Sequence, residues 1–351
     1  MRLLTKYILP AALVAGFLFY FFSDAFNRHF SLDDYFYDGL VRKFGISGCI
    51  DVCYTLANGR WFSHIVCALS FLFFGQSFFL YGVYLSFLLA LFLIGAAKLY
   101  KNYCSTFLNS DPGISDQTRF ALVFTATLYF LLFEGRWEIW GWVSSANTHL
   151  MSIIVSLFLF SFLLKGKTSG YSTIMVFILS AFLGGLNEVN AISSVFILTG
   201  LLLLNRFYRT DLRLNKLNIF LSTVAIASSL LVNLHSGGYR LRMEGLPNFT
   251  LTQSFKNTIH TFLLPVLRYQ FLFYYMAASL IFFLFLKTSS FTISSKKLLP
   301  FGYALGVAGL SFFLHCYTLS DIVPARGAAW AYCLVLFVFG TLFMSKESSS
   351  N

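Results

Sequence analysis

Trp61-Phe62-Ser63-His64-Ile65-Val66-Cys67-Ala68-Leu69-Ser70-Phe71-Leu72-Phe73-Phe74-Gly75 is the run on which the reading of this chain turns. It is apolar enough for a membrane but short, since a helix that crosses a bilayer needs about 20 apolar residues, with a range of about 17–25. It stops at Gly75-Gln76-Ser77. Either it spans, or it lies in the interface as an amphipathic helix. Every later connection changes sides between the two readings.

The lysines decide between them. Ten other apolar runs read as spans: Leu3–Phe22, Phe78–Ala97, Phe120–Phe133, His149–Leu164, Tyr171–Leu186, Ala191–Leu204, Leu217–Leu234, Phe262–Leu286, Leu298–Leu319 and Gly327–Phe343. With Arg2 and Lys6 in the cytoplasm and Trp61–Gly75 interfacial, the residues Lys98, Lys101, Lys165, Lys167, Lys216, Lys287, Lys296, Lys297 and Lys346 all fall inside. Only Lys43 and Lys256 fall outside. That is the distribution the positive-inside rule requires. A spanning Trp61–Gly75 would destroy it. Both termini are therefore expected in the cytoplasm.

Composition agrees. The chain has 351 residues, of which 58% are hydrophobic and 11% charged. Its mean hydropathy is +0.74. A soluble domain carries about 25% charged residues, so a soluble enzyme is excluded. The net charge of +11 would suit nucleic acid in a soluble chain. Here it reports topology, and no nucleic-acid partner is expected. Leu3–Phe22 is long for a signal peptide and has no small-residue cleavage site, so it reads as a retained anchor. Cys49 and Cys53 are four apart, but no second pair completes a zinc set, and two unpaired thiols are expected. The expected fold is an all-α polytopic bundle of about ten transmembrane helices. It forms one membrane domain over 1–351, with residues 23–77 an outer loop containing interfacial helices and 78–345 the rest of the bundle.

The acidic residues gather on the outer side with a few arginines. Asp33 and Asp34 open the outer loop. One carboxylate of such a pair can take a proton from a hydroxyl while the other orients it or holds a cation; the competing reading is a solvated acidic start. Asn58-Gly59-Arg60-Trp61 closes the loop, with a guanidinium whose fork matches phosphate or anchors at the headgroups. Glu134, Arg136, Glu138 and Trp142 form a second dense site, followed by Asn147 and His149. Carboxylates at the edge of a membrane helix are costly unless used, and rings beside them can stack on a sugar. Asn187 and Glu188 stand between two apolar runs, as a polar hinge or a binding pair. His235-Ser236-Gly237-Gly238-Tyr239-Arg240 frees backbone N–H groups beside an arginine, a possible anion cradle. Pro324-Ala325-Arg326 places another arginine outside.

The acidic pair after the first helix, the interfacial run ending in Phe74-Gly75 and the span that follows resemble the GT-C class of integral-membrane glycosyltransferases. More narrowly, Asp33-Asp34-Tyr35, Gly59-Arg60-Trp61-Phe62-Ser63, Gly184 to Glu188 and Pro324-Ala325-Arg326 resemble an uncharacterised bacterial family within that class. The loop before Arg240 lacks the proline usual there. The resemblance implies a polyprenyl-phosphate-linked sugar donor and an envelope glycan, lipid or protein acceptor. It also implies an active face on the outside of the bacterial inner membrane. It makes Asp33 or Asp34 the base, and Arg60, Arg240 and Arg326 the phosphate ligands. Trp61, Glu134, Arg136, Glu138, Trp142, Asn147, His149, Asn187 and Glu188 would line the sugar or acceptor site. A magnesium or manganese ion on Asp33 and Asp34 is the one cofactor it allows.

Three other readings compete. A flippase or transporter for a lipid-linked sugar would show an inverted repeat and broken helices at the midplane; the chain has no evident repeat, and its charges lie at one face. A polysaccharide polymerase or ligase would carry a large late outer loop, whereas Ser236 to Thr261 is modest. An assembly protein, whose outer motifs would merely bind a partner, is mildly disfavoured by the paired carboxylates.

Overall fold

The computed structural model describes residues 15–16, 18–19, 23, 30–107, 139, 141–165, 169–207, 215–244, 250–267, 295–319 and 334. The expected span Phe120–Phe133, and most of Gly327–Phe343, Leu3–Phe22 and Phe262–Leu286, lie outside these residues. Among the described residues every regular element is helical and none is a strand.

The stretch expected as an outer loop is itself helical where described. Helix α1 (Leu32–Val52) begins in a capping box, in which Ser31 Oγ accepts from the Asp34 N–H and the Asp34 carboxylate accepts from the Ser31 N–H. Such reciprocal bonds satisfy two of the donors that every helix start leaves open. Gly45, at φ +69° and ψ −175°, breaks α1 into two pieces, a conformation that glycine adopts without steric cost. A π-helical turn, Cys53–Ala57, ends in the extended residue Asn58. Helix α2 (Trp61–Phe74) follows. Its 14 residues rise about 21 Å, short of the hydrocarbon core of about 30 Å. It packs against α1.

Helix α3 (Phe78–Phe107) runs on past the expected Ala97. Helix α4 (Val143–Leu164) starts before the expected His149, and its Ala146–Leu150 segment is a π turn. Helices α5 (Gly170–Leu186), α6 (Glu188–Phe207) and α7 (Lys216–Leu234) follow. The stretch expected as a late outer loop is instead helix α8 (Gly237–Glu244) and the start of α9 (Leu251–Leu267). Helix α10 (Ser295–Leu319) closes the described chain. Helices α3, α4 and α7 are each long and apolar enough to cross a membrane, and α2, α5, α6 and part of α10 are shorter apolar helices. The chain is a helical membrane protein.

Helix α4 is the axis of the bundle, with 78% of its apolar window buried. Leu150, Ile153 and Leu159 on it pack with Leu85, Leu88 and Phe92 on α3. Helices α5 and α7 approach closely because small residues face each other: a Cβ on Gly184 would lie 2.6 Å from Ser229 Cβ. In lipid, small residues let backbones meet and gain dispersion contacts. Large apolar side chains such as Phe79, Phe87, Tyr171 and Phe220 point outward, as expected of a surface that meets lipid.

Side-chain bonds fix which helix ends meet. Asn102 donates to Ser161 O, Thr106 to Leu164 O, and Thr173 to Asn218 Oδ1. Lys98 lies over the Phe158 ring. Tyr303 donates to Phe196 O, and Ser311 meets Ser193, so α10 runs antiparallel to α6. Lys98, Lys101, Lys165, Lys216, Lys296 and Lys297 therefore share one end of the bundle. The N-termini of α2, α4 and α6 share the other.

Candidate functional site

At that second end, Arg60 and Glu188 meet although 128 residues separate them. Arg60 Nε donates to Glu188 Oε2 at 2.9 Å and Oε1 at 3.1 Å. Their side chains keep 17% and 16% of their surface exposed, so the pair is reachable yet largely shielded. Glu188 sits in the first turn of α6, where the helix dipole favours a negative charge. Asn187 caps the same helix: its Oδ1 accepts from the Asn190 N–H at 3.1 Å. Arg60 and Glu188, expected separately as a phosphate ligand and a sugar or acceptor ligand, bond each other. Among the described residues, only Nε of the Arg60 guanidinium is bonded, and the Nη groups have no hydrogen bond.

The turn that carries Arg60 is clamped from several sides. Its own N–H donates to Asn58 Oδ1 at 3.1 Å. A carbonyl only accepts, so His64 Nε2 donates to Asn58 O at 2.8 Å. Tyr37 hydroxyl bonds His64 Nδ1 at 2.8 Å. Burial is the main cause that lowers the His64 pKa to about 4, so the ring is neutral and Nδ1 accepts the phenol proton. Burial likewise raises the Tyr37 pKa well above the usual phenol value. Gly59 lies against α7: a Cβ there would sit 1.9 Å from Asn233 O. Gly237 and Gly238 abut the Thr55–Asn58 backbone in the same way, at 2.7 and 2.6 Å. These glycines, expected as an anion cradle, are required by close backbone approach, and Ser236 Oγ caps α8 through the Tyr239 N–H.

The two adjacent carboxylates have separate fates. Asp34 is fully buried. Besides the Ser31 N–H, it accepts from the Val143 N–H at 3.2 Å, the Ser144 N–H at 2.9 Å and the Ser144 hydroxyl at 2.9 Å. It ties the first turn of α1 to the first turn of α4. Asp33, beside it, is exposed. The Ser31-Leu32-Asp33-Asp34 spacing is a capping-box signature, and it marks in the sequence which of the two is structural. Asp38, one turn on, is also buried; it accepts from Gln76 Nε2 at 2.7 Å and pairs with Arg42 at 2.9 Å. Sequence reasoning passed over Asp38, Tyr37, His64 and Asn233.

Other expected site residues prove to be internal ties. Trp61 Nε1 donates to Ser229 Oγ at 2.9 Å, and its indole is pressed on Gly185, where a Cβ would come within 2.6 Å. The ring wedges between α5 and α7 and remains half-buried. Asn147 is buried; it accepts from Tyr84 hydroxyl at 2.6 Å and donates to Ser70 Oγ at 3.0 Å. Asn187 Nδ2 donates to His149 Nδ1 at 3.2 Å. Trp142 is half-buried just before α4. Arg240 is exposed on α8, which packs on the Cys53–Ala57 turn close to Arg60 in sequence. Glu134, Arg136, Glu138 and Arg326 lie outside the described residues.

A polar seam starts at Asp34. From Asp34 it runs through Ser144 to Thr148, which donates to Ser144 O at 2.9 Å, and on to Ser63. The exposed Asp33, the Arg60–Glu188 pair and Arg240 occupy this end of the bundle. Both Asp34 oxygens are taken up by backbone and hydroxyl donors. Among the described residues no three His, Cys, Asp or Glu side chains gather as metal ligands. Cys49 and Cys53 are buried, free thiols. Comparison with known proteins finds no matching family model, no matching curated protein and no matching solved structure.

Proposed function

We propose that this protein is a GT-C-type glycosyltransferase. It moves a sugar from a polyprenyl-phosphate donor to an envelope acceptor at the outer face of the bacterial inner membrane. The single observation that carries the reading is the Arg60–Glu188 pair. It is a half-shielded guanidinium and carboxylate, set at the bundle end away from the lysines, with the Nη groups unbonded among the described residues. A guanidinium in a shielded site holds a phosphate oxyanion far better than one in water. The donor tail stays in lipid beside the exposed aromatic belt, and its phosphate reaches the Nη groups. Ten passes and two cytoplasmic termini complete this reading.

In the reaction the acceptor oxygen attacks the anomeric carbon. The bond from that carbon to the phosphate oxygen breaks, and its electron pair leaves with the phosphate. The hydroxyl proton passes to Asp33, the exposed member of the pair. Asp34 is then a positioning residue, since its oxygens are occupied by four donors. Arg60 stabilises the departing phosphate, with Arg240 and Arg326 as further cationic contacts. Glu188 sets the Arg60 fork and faces the sugar or acceptor. No step is routed through a metal, because each Asp34 oxygen already accepts two hydrogen bonds.

Asp33→Asn in membranes supplied with labelled lipid-linked sugar is expected to slow transfer by about 100-fold or more, the usual contribution of a general base, with expression and thermal stability unchanged. Full transfer by that variant would remove Asp33 from the mechanism.

A further inference from the structure

We propose that His64 is a positioning residue for Arg60: its Nε2–H, through the Asn58 carbonyl, sets the turn that presents the guanidinium to Glu188 and to the donor phosphate. This rests on the phosphate-binding reading of Arg60 for its second half only. The geometry has three parts. Asn58 receives the His64 proton on its backbone oxygen, 2.8 Å away, and returns a bond from its side chain to the Arg60 N–H at 3.1 Å. The residue is thus locked on both sides of its α-carbon, in an extended conformation at φ −164°. The His64 N–H also donates to Arg60 O at 3.0 Å, so ring and backbone of one residue grip both ends of the Asn58–Arg60 segment.

His64 itself is held in place. It is fully buried in α2, and Tyr37 of α1 donates to its other nitrogen. The ring tilts over Tyr37, with centroids 6.1 Å apart, and Tyr37 stacks on Phe71 at 6.3 Å. A ring so fixed has one orientation, and Nε2 can reach only Asn58. On the far side, Gly59 has no room to move because Asn233 O stands against it. The guanidinium is therefore aimed by two constraints, one from inside α2 and one from α7.

Two isosteres separate positioning from mere packing. A glutamine amide reaches the place of Nε2 and keeps the donor to Asn58. An asparagine amide reaches only the place of Nδ1, keeping a partner for Tyr37 and losing the bond to the turn. The first measurement is a thermal double-mutant cycle with Glu188→Gln. In the wild type and in His64→Gln, Glu188→Gln should lower Tm by the same amount. In His64→Asn it should lower Tm by less than half of that, since Arg60 no longer rests on Glu188. Equal losses in all three backgrounds would overturn the proposal.

The second measurement is binding of a short-chain polyprenyl monophosphate to purified protein. His64→Asn should weaken Kd by about tenfold, one hydrogen-bond's worth, and His64→Gln by less than about threefold. Unequal Tm losses with no binding by the wild type would sink the donor reading and leave the positioning role standing. Binding by the wild type and equal Kd for both variants would sink the extension to phosphate.

Discussion

Asp34 shows how much one buried carboxylate can fasten. Its four donors belong to two helix starts, each of which leaves N–H groups that need acceptors. Asp34→Ala strips the cap from α1 and leaves the Val143 and Ser144 N–H groups buried and unbonded. The expected cost is about 3 kcal/mol, from a lost cap plus unsatisfied donors, read as a fall in Tm of the purified protein. Asp33→Ala, exposed in the same turn, should change Tm little. His64 adds a pH dependence. Its folded pKa of about 4 lies below the unfolded value of 6.5. Between those values the unfolded chain binds a proton that the folded one refuses, so stability is complete above pH 6.5 and falls as pH drops towards 4. The loss approaches about 3 kcal/mol. Thermal scans across that window should flatten in His64→Gln.

At the scale of elements, the site is built where helix ends abut, and glycine decides how closely. Gly59→Ala would put a Cβ 1.9 Å from Asn233 O, a backbone atom with no freedom to swing aside. The Asn58–Arg60 turn or the end of α7 must then move. We expect a loss of about 2 kcal/mol or more, at the upper end of what overpacking costs, together with a loosened Arg60. Gly39→Ala on α1, whose Cβ would meet nothing within 4 Å, is the control and should be neutral or slightly stabilising. Thermal unfolding of the two variants separates close approach from helix propensity. Trp61 works at the same scale. Its bond to Ser229, which in turn donates to Ala181 O at 2.8 Å, staples α2 to both α5 and α7.

For the whole molecule the decisive feature is polarity from end to end. Hydrogen bonds between α3, α4, α5 and α7 place Lys98, Lys101, Lys165 and Lys216 together, far along the helices from Arg60 and Glu188. If those ends face opposite sides of the membrane, a single cysteine from Asp33→Cys will react with a membrane-impermeant thiol reagent while the inner membrane is intact, and one from Lys98→Cys only after that membrane is permeabilised. Labelling of both from one side would undo the proposed orientation. The five described native cysteines are buried and should contribute little background.

Amphipathic length and lysine placement were enough, from the sequence alone, for the helical membrane class, for the shortness of the Trp61–Phe74 helix and for the gathering of basic residues at one end. These are local properties: apolar runs must leave water, and each run's length and flanking charges are written in consecutive residues. The Arg60–Glu188 meeting was foreseen only as membership in one region. The capping-box spacing separates Asp34 from Asp33 in the sequence, but tertiary structure alone supplied the Val143 and Ser144 donors to Asp34, turned Asn147 inward, set Trp61 on Ser229, and brought Tyr37, His64 and Asn58 behind Arg60. Those outcomes depend on which donors from distant helices arrive at a given oxygen, and no single stretch of chain encodes its partner 100 or more residues away.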